Sequence, residues 1–351
     1  MARWLTRENE RPLIGFYVGS MYPLHLYPGS RRHLSDGPVT PQDVVVEDYL
    51  DDGERLHDLH ERAGGDLLWS AAPFFGIPWV EASLGCRVVA DFTTGSTRAS
   101  PSPGFEDASQ IPPFRESNPW IERMLEFIPA LQARAAGRYP VGVTLMRGVS
   151  DLLSALYGGE GFIFRMLEHP QDIRTAVQKL TDYWIEFGRC LLSRLPLFQG
   201  GTGSWFYGVW MPGKALWMQE DAAALLSPTL YEEFILPADR RIAAAFEHTI
   251  IHLHPARFIP AKQLSRTGVD AIELHVDRGG PTAGDLVPVH REILEHKPLL
   301  IYGEIPLTDI DALLEHLPWK GLALDLVVSS VEDAHRISDH LRPFLGQDWA
   351  G

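Results

Sequence analysis

Short runs of β-branched, aromatic and aliphatic residues alternate with longer stretches of helical periodicity along almost the whole chain, the pattern of a parallel sheet wound with helices. Eight such runs stand out: residues 13–19, 66–70, 141–146, 205–209, 249–254, 271–276, 299–303 and 321–328. Between them the stretch from Gln171 to Leu195 has the clearest helical stripe, with Ile173, Val177, Leu180, Trp184, Phe187 and Leu191 recurring at three- and four-residue steps. Ser227 followed by Pro228 reads as an N-cap and first helical residue, and Pro237 predicts a kink or break soon after. The Gly-, Pro- and Ser-rich stretch from Thr93 to Pro113 is too long for an ordinary connection. It predicts an excursion after the second strand, suited to a lid. No repeat, low-complexity tract or linker interrupts the alternation. The expectation is one α/β domain over residues 1–351, a closed (β/α)8 TIM barrel.

Composition narrows the function classes. Of 351 residues, 45% are apolar and 22% charged, enough for a large core. The 31 Lys and Arg against 46 Asp and Glu give a net charge of −15 with no basic block, which argues against a nucleic-acid or anionic-membrane partner. The first residues lack the apolar core of a signal peptide, and no run is long enough to span a bilayer. The expected compartment is the cytoplasm. Two widely spaced cysteines, Cys86 and Cys190, fit a reducing environment and exclude a cysteine-rich zinc finger. A metal site must then use histidine and carboxylate.

In a barrel the chemistry lies at the carboxyl ends of the strands, because the interior is packed shut. His252 and His254 alternate along one predicted strand, so they share a face and are placed either to grip one divalent ion, zinc first, or to form a hydrogen-bonded pair. Glu273, His275 and Asp277 share a face of the next run, turned either to a functional mouth or outward to a helix edge, with Asp277 at its end as the candidate for handling a proton. Glu304, just after the seventh run, is the first choice to complete the metal site, with Asp277 second; a base and a helix N-terminal charge near Thr308 are the other roles open to Glu304. Glu81 lies beside Trp79 and a glycine turn, and a carboxyl in so apolar a neighbourhood is suited to hold and deliver a proton; an exposed helix position is the alternative. Arg147 ends the third run, where a guanidinium would bind a substrate carboxylate in bidentate fashion. Tyr17, Trp205, Tyr207 and Trp210 are placed either to line an aromatic substrate pocket or to fill core. The chain has no GxxxxGK[ST], HExxH, partnered GxSxG or strand-linked GxGxxG motif.

Taken together, several segments resemble the uroporphyrinogen decarboxylase superfamily, (β/α)8 barrels that include methyltransferases working with a corrinoid carrier. The resemblance spans most of the chain and is carried by Trp69 to Pro73 with Ile77 to Cys86, Arg147 to Asp151 with Gly158 to Glu160, Glu220 and Asp221 through Pro237, and His252 to His254 with Thr267 to Ala271. The decarboxylases themselves bind substrate propionates through an arginine-rich N-terminal segment; Gly19 to Tyr27 has no arginine there. They also carry an aspartate after the second strand, where this chain has Ala71. Methyltransferase members hold zinc with a His-x-Cys pair and a second cysteine; His254 takes the place of that first thiolate, and no cysteine follows Cys190. The resemblance implies a methyltransferase-like enzyme that acts on a small methylated substrate and passes the methyl group to a corrinoid on a partner protein. Two alternatives stand beside it: a decarboxylase of a small carboxylated substrate other than uroporphyrinogen, and a barrel that only binds a ligand.

Overall fold

The strands are β1 (Leu13–Val18), β2 (Gly37–Val39), β3 (Arg87–Asp91), β4 (Ser96–Ser100), β5 (Gly201–Gly203), β6 (Trp210–Pro212), β7 (Ala215–Gln219), β8 (His248–Leu253), β9 (Ala271–Val276), β10 (Leu299–Gly303) and β11 (Leu322–Val328). They come from a computed structural model that describes residues 1–351 except 205, 256–258, 347, 348, 350 and 351. Six of them form one parallel sheet in the order β1-β11-β10-β9-β8-β7. Their near-continuous apolar runs are what a sheet buried on both faces requires. The register sets Gln219 beside His252 and His252 beside Glu273, so these three polar residues lie at one level of the sheet.

Beyond the two edges of this sheet the second and third expected runs take a less regular form. Asp66 donates its backbone N–H to Ile14 at 2.6 Å, Ala71 to Pro140 at 2.9 Å, Val143 to Gly203 at 3.2 Å and Gln219 to Met146 at 3.0 Å. Single parallel bridges join Ala71 to Val141, Val143 to Ser204 and Arg147 to Gln219. Proline explains the lack of longer ladders, since Pro73 and Pro140 have no N–H to give. The backbones also pass very close together: a Cβ on Gly142 would collide with the Gly203 carbonyl oxygen.

The fourth expected run is corrected by the structure. Residues 206–209 form a turn rather than a strand, with Gly208 at φ +58° and its carbonyl accepting from the Leu68 N–H at 2.7 Å. The strand beside β8 is β7, and β5 and β6 pair as a small antiparallel hairpin before it. The excursion begins earlier than Thr93. β3 and β4 form a hairpin joined to β2, and its turn is closed by the Asp91 carboxylate accepting from the Thr93 and Thr94 N–H groups at 2.9 and 3.2 Å.

The expected stripe is buried along the helix Pro170–Arg194. Each such side chain contributes roughly 1.5–3 kcal/mol on burial. Gly188 lets this helix approach Leu216 of β7, and the Trp184 indole N–H donates to the Arg147 carbonyl at 3.1 Å, tying that residue's backbone to the helix. Ser227 caps the next helical segment by accepting from the Leu230 N–H at 3.3 Å. A wide π-type turn, Tyr231–Ile235, precedes Pro237, which supplies no N–H to a regular α-helical ladder. Among the described residues no helix is long and apolar enough to cross a membrane.

Candidate metal centre

Three neighbouring strands of the parallel sheet deliver polar side chains to one place at their carboxyl ends. β7 leads through Gln219 and Glu220 into a turn that begins at Asp221, β8 carries His252 and is followed by His254, and β9 carries Glu273 and His275 and is followed by Asp277. Asp221 Oδ1 lies 3.3 Å from His252 Nε2 and 3.5 Å from His254 Nε2. One ligand atom from each residue falls within 4.8 Å of the other two. The imidazole rings stand nearly perpendicular, 4.8 Å apart at 83°.

The far sides of these groups are fully engaged. His252 Nδ1 meets the buried Glu273 carboxylate, and His254 Nδ1 meets both oxygens of Asp277 at 2.8 and 2.9 Å. Asp221 Oδ2 accepts from the Gln219 side-chain amide at 2.6 Å. The backbone N–H groups of Asp221 and Ala222 donate to Asp151 at 2.9 and 3.1 Å, which fixes the turn. The buried Glu220 carboxylate turns the other way and accepts from the Val149 and Ser150 N–H groups at 2.6 and 3.0 Å. What remains is a pair of buried atoms, Asp221 Oδ1 and His252 Nε2, that face each other at 3.3 Å without hydrogen-bond geometry and have no hydrogen-bond partner among the described residues. Buried polar atoms left this way cost roughly 1–3 kcal/mol each unless something meets them. A divalent cation between Asp221, His252 and His254 would meet them both.

The electrostatics match that donor set. Burial disfavours a charged His252, but the carboxylates of Glu273 and Asp221 prevail and lift it to about 10. Burial likewise works to raise Asp221, yet the close approach and charge of His252, with His254 and Arg147, hold its carboxyl below the usual range. His275 is driven down to about 3 by burial and by the two neighbouring histidines. The pocket thus carries a strong negative field, compensated by a proton where a cation would sit.

His252 and His254 lie side by side, and the third member of their group is Asp221 rather than Glu304, whose carboxylate pairs with exposed Arg278 at 2.6 Å. Asp277 stands behind His254. Glu81 is buried and bonded to Arg147 at 3.1 Å. Tyr207 stacks on His252 with centroids 5.6 Å apart, and Tyr17 donates to the Ser20 carbonyl at 3.1 Å while packing against Tyr302 and Phe206. Trp205 lies outside the described residues. Trp210 bonds the Phe198 carbonyl, in the β5–β6 hairpin. Asp221, Gln219, Asp151 and Phe206 stand out by no spacing or motif of their own in the sequence. Asp221 carried one signal, its place in the Glu220 to Pro237 stretch of the family resemblance.

Fold and site together define an α/β protein whose parallel sheet presents a histidine and carboxylate cluster at its strand ends. No protein-family model matches the chain, and no curated protein matches it in sequence. Among solved structures it is similar to a methyltransferase from Methanosarcina mazei, with 14% sequence identity, a TM-score of 0.65, and coverage of 99% of this chain and 100% of that one. At that identity the likeness is one of fold.

Proposed function

We propose that this chain is a methyltransferase of the uroporphyrinogen decarboxylase superfamily, a single-domain, closed (β/α)8 barrel working in the cytoplasm on a small methylated substrate, with a corrinoid on a partner protein as methyl acceptor. The observation that carries the reading is the convergence of Asp221 Oδ1, His252 Nε2 and His254 Nε2 with their outer atoms already held. Three protein ligands of this type suit a catalytic zinc or a similar divalent ion, which keeps a position open for substrate. Such an ion supplies Lewis acidity that makes an oxygen or nitrogen a better leaving group. Glu273 and Asp277 hold protons at the Nδ1 atoms of His252 and His254, which leaves both Nε2 lone pairs free. Phe206 and Tyr207 pack their rings against His252, and Arg147 lines the adjoining cavity. The likeness in fold to a methyltransferase supports the same reading.

The test uses zinc-loaded protein, reduced cobalamin as a free acceptor and a panel of small O- and N-methyl compounds. Methylcobalamin should form with at least one of them, and His254→Gln should lose both metal and transfer. Full metal occupancy and full transfer in that variant would overturn the reading; carbon dioxide release from a carboxylated compound without methyl transfer would establish a decarboxylase instead.

A further inference from the structure

A cavity of about 150 Å3 lies beside the metal centre, and the charged residues in its wall are Glu81 and Arg147. That volume equals roughly five waters, room for a ligand of about half a dozen heavy atoms. Glu81, on the short helix Trp79–Ser83, is 1% exposed. Its carboxylate has four acceptor sites, and among the described residues it receives one side-chain hydrogen bond, from an Arg147 terminal nitrogen at 3.1 Å. Arg147 has five donors and spends one on Glu81, its only side-chain partner among the described residues. Glu81 is buried while the Arg147 side chain is one-third exposed, so a single contact leaves the desolvated carboxylate only partly compensated. Such a pair, facing a cavity, offers one donor array and one acceptor array side by side.

The surroundings select the complement. A lone anion on Arg147 would face Glu81 beside it and Asp221 beyond, whose carboxylate is close enough to feel the Arg147 charge. A lone cation on Glu81 would face Arg147. A neutral molecule with adjacent acidic and basic groups satisfies both. Phe75 and Phe206 line the same cavity with ring centroids 5.7 Å apart, a wall suited to the methyl groups of an alkylated ammonium. Phe206 also reaches the metal centre, its ring 6.5 Å from that of His252. Ser96 and Thr97 of β4 close the cavity on the hairpin side.

We propose that this cavity binds the zwitterionic end of an amino-acid-type molecule, its carboxylate on Arg147 and its ammonium on Glu81. The assignment deepens the methyltransferase reading by naming the class of methylated substrate, an N-methyl amino acid. Its test is a binding measurement on metal-free protein, so it stands or falls separately from methyl transfer. Titration calorimetry with N-methylglycine, acetate and methylamine as probes should rank N-methylglycine first by at least about tenfold, since each charged hydrogen bond is worth roughly that factor or more. Glu81→Gln should weaken N-methylglycine by about tenfold and strengthen acetate, whose repulsion by the Glu81 charge is removed, and Arg147→Lys should weaken both. Acetate binding as tightly as N-methylglycine, indifference of N-methylglycine to Glu81→Gln, or no binding of any probe would overturn the proposal. The ranking of the three probes on the unmodified protein decides it even if a variant fails to fold.

Discussion

Glu273→Gln isolates the group that orients His252 without changing its volume. Glu273 has no solvent exposure, its Oε2 meets His252 Nδ1, and its Oε1 has no hydrogen-bond partner among the described residues. Neither solvent nor a competing donor therefore dilutes its charge at the imidazole. Removing a carboxylate behind a ligating histidine costs 10- to 100-fold in metal affinity, about 1.4–2.7 kcal/mol. The complete burial of Glu273 places it at the upper end of that range. The Asp277 side chain is 37% exposed and also lies 3.6 Å from His275, so Asp277→Asn belongs at the lower end, about tenfold. Glu304, paired with exposed Arg278, serves as the control and should change affinity by less than about twofold. Zinc competition against a chromophoric chelator at fixed pH gives the three affinities, and urea unfolding of each variant shows that it remains folded. Equal affinities for Glu273→Gln and the unmodified protein, or a loss in Glu304→Gln as large as that in Glu273→Gln, would refute the orientation argument.

Two further outcomes concern stability. Burial pushes His290 from 6.5 down to about 3, and neither ring nitrogen has a partner among the described residues. The unfolded chain takes up this proton near pH 6.5, so stability is intact above that pH and is lost as the pH falls toward 3, by about 2 kcal/mol at pH 5. In urea unfolding His290→Leu should lose that much less than the unmodified protein between pH 7.5 and pH 5; equal acid sensitivity would contradict the assignment. Gly142→Ala should cost at least about 1–3 kcal/mol, because the added methyl meets the Gly203 carbonyl oxygen where two backbones pass. A thermal midpoint unchanged in that variant would show that the approach of these segments is looser than described.

How much was legible in the sequence depended on how each element is stabilised. β1, β8, β9, β10 and β11 are buried by the sheet on both faces, so their apolar runs announced them. β7 was hidden because the aromatic run just before it looked more strand-like, and Gly208 turns that run out of the sheet. The loss of β7 concealed Asp221. Alternation along β8 was enough to pair His252 with His254, but the third group depends on which strands flank β8. Those are β7 and β9, which bring Asp221 to the Nε2 side and Glu273 and Asp277 to the Nδ1 side. Glu304 follows β10, one strand further away, where Arg278 takes its charge. The pairing of Glu81 with Arg147 spans 66 positions, and local pattern carries no trace of a contact so distant.

X-ray absorption on zinc-loaded protein reports whether Asp221, His252 and His254 hold one divalent ion. Zinc-loaded protein should hold one zinc per chain with a first shell of nitrogen and oxygen only, at about 2.0–2.2 Å, with the scattering pattern of two imidazoles, and His254→Gln should lose that zinc. A sulfur shell at about 2.3 Å, or a spectrum without imidazole scattering that is the same in Asp221→Asn and His254→Gln, would contradict it.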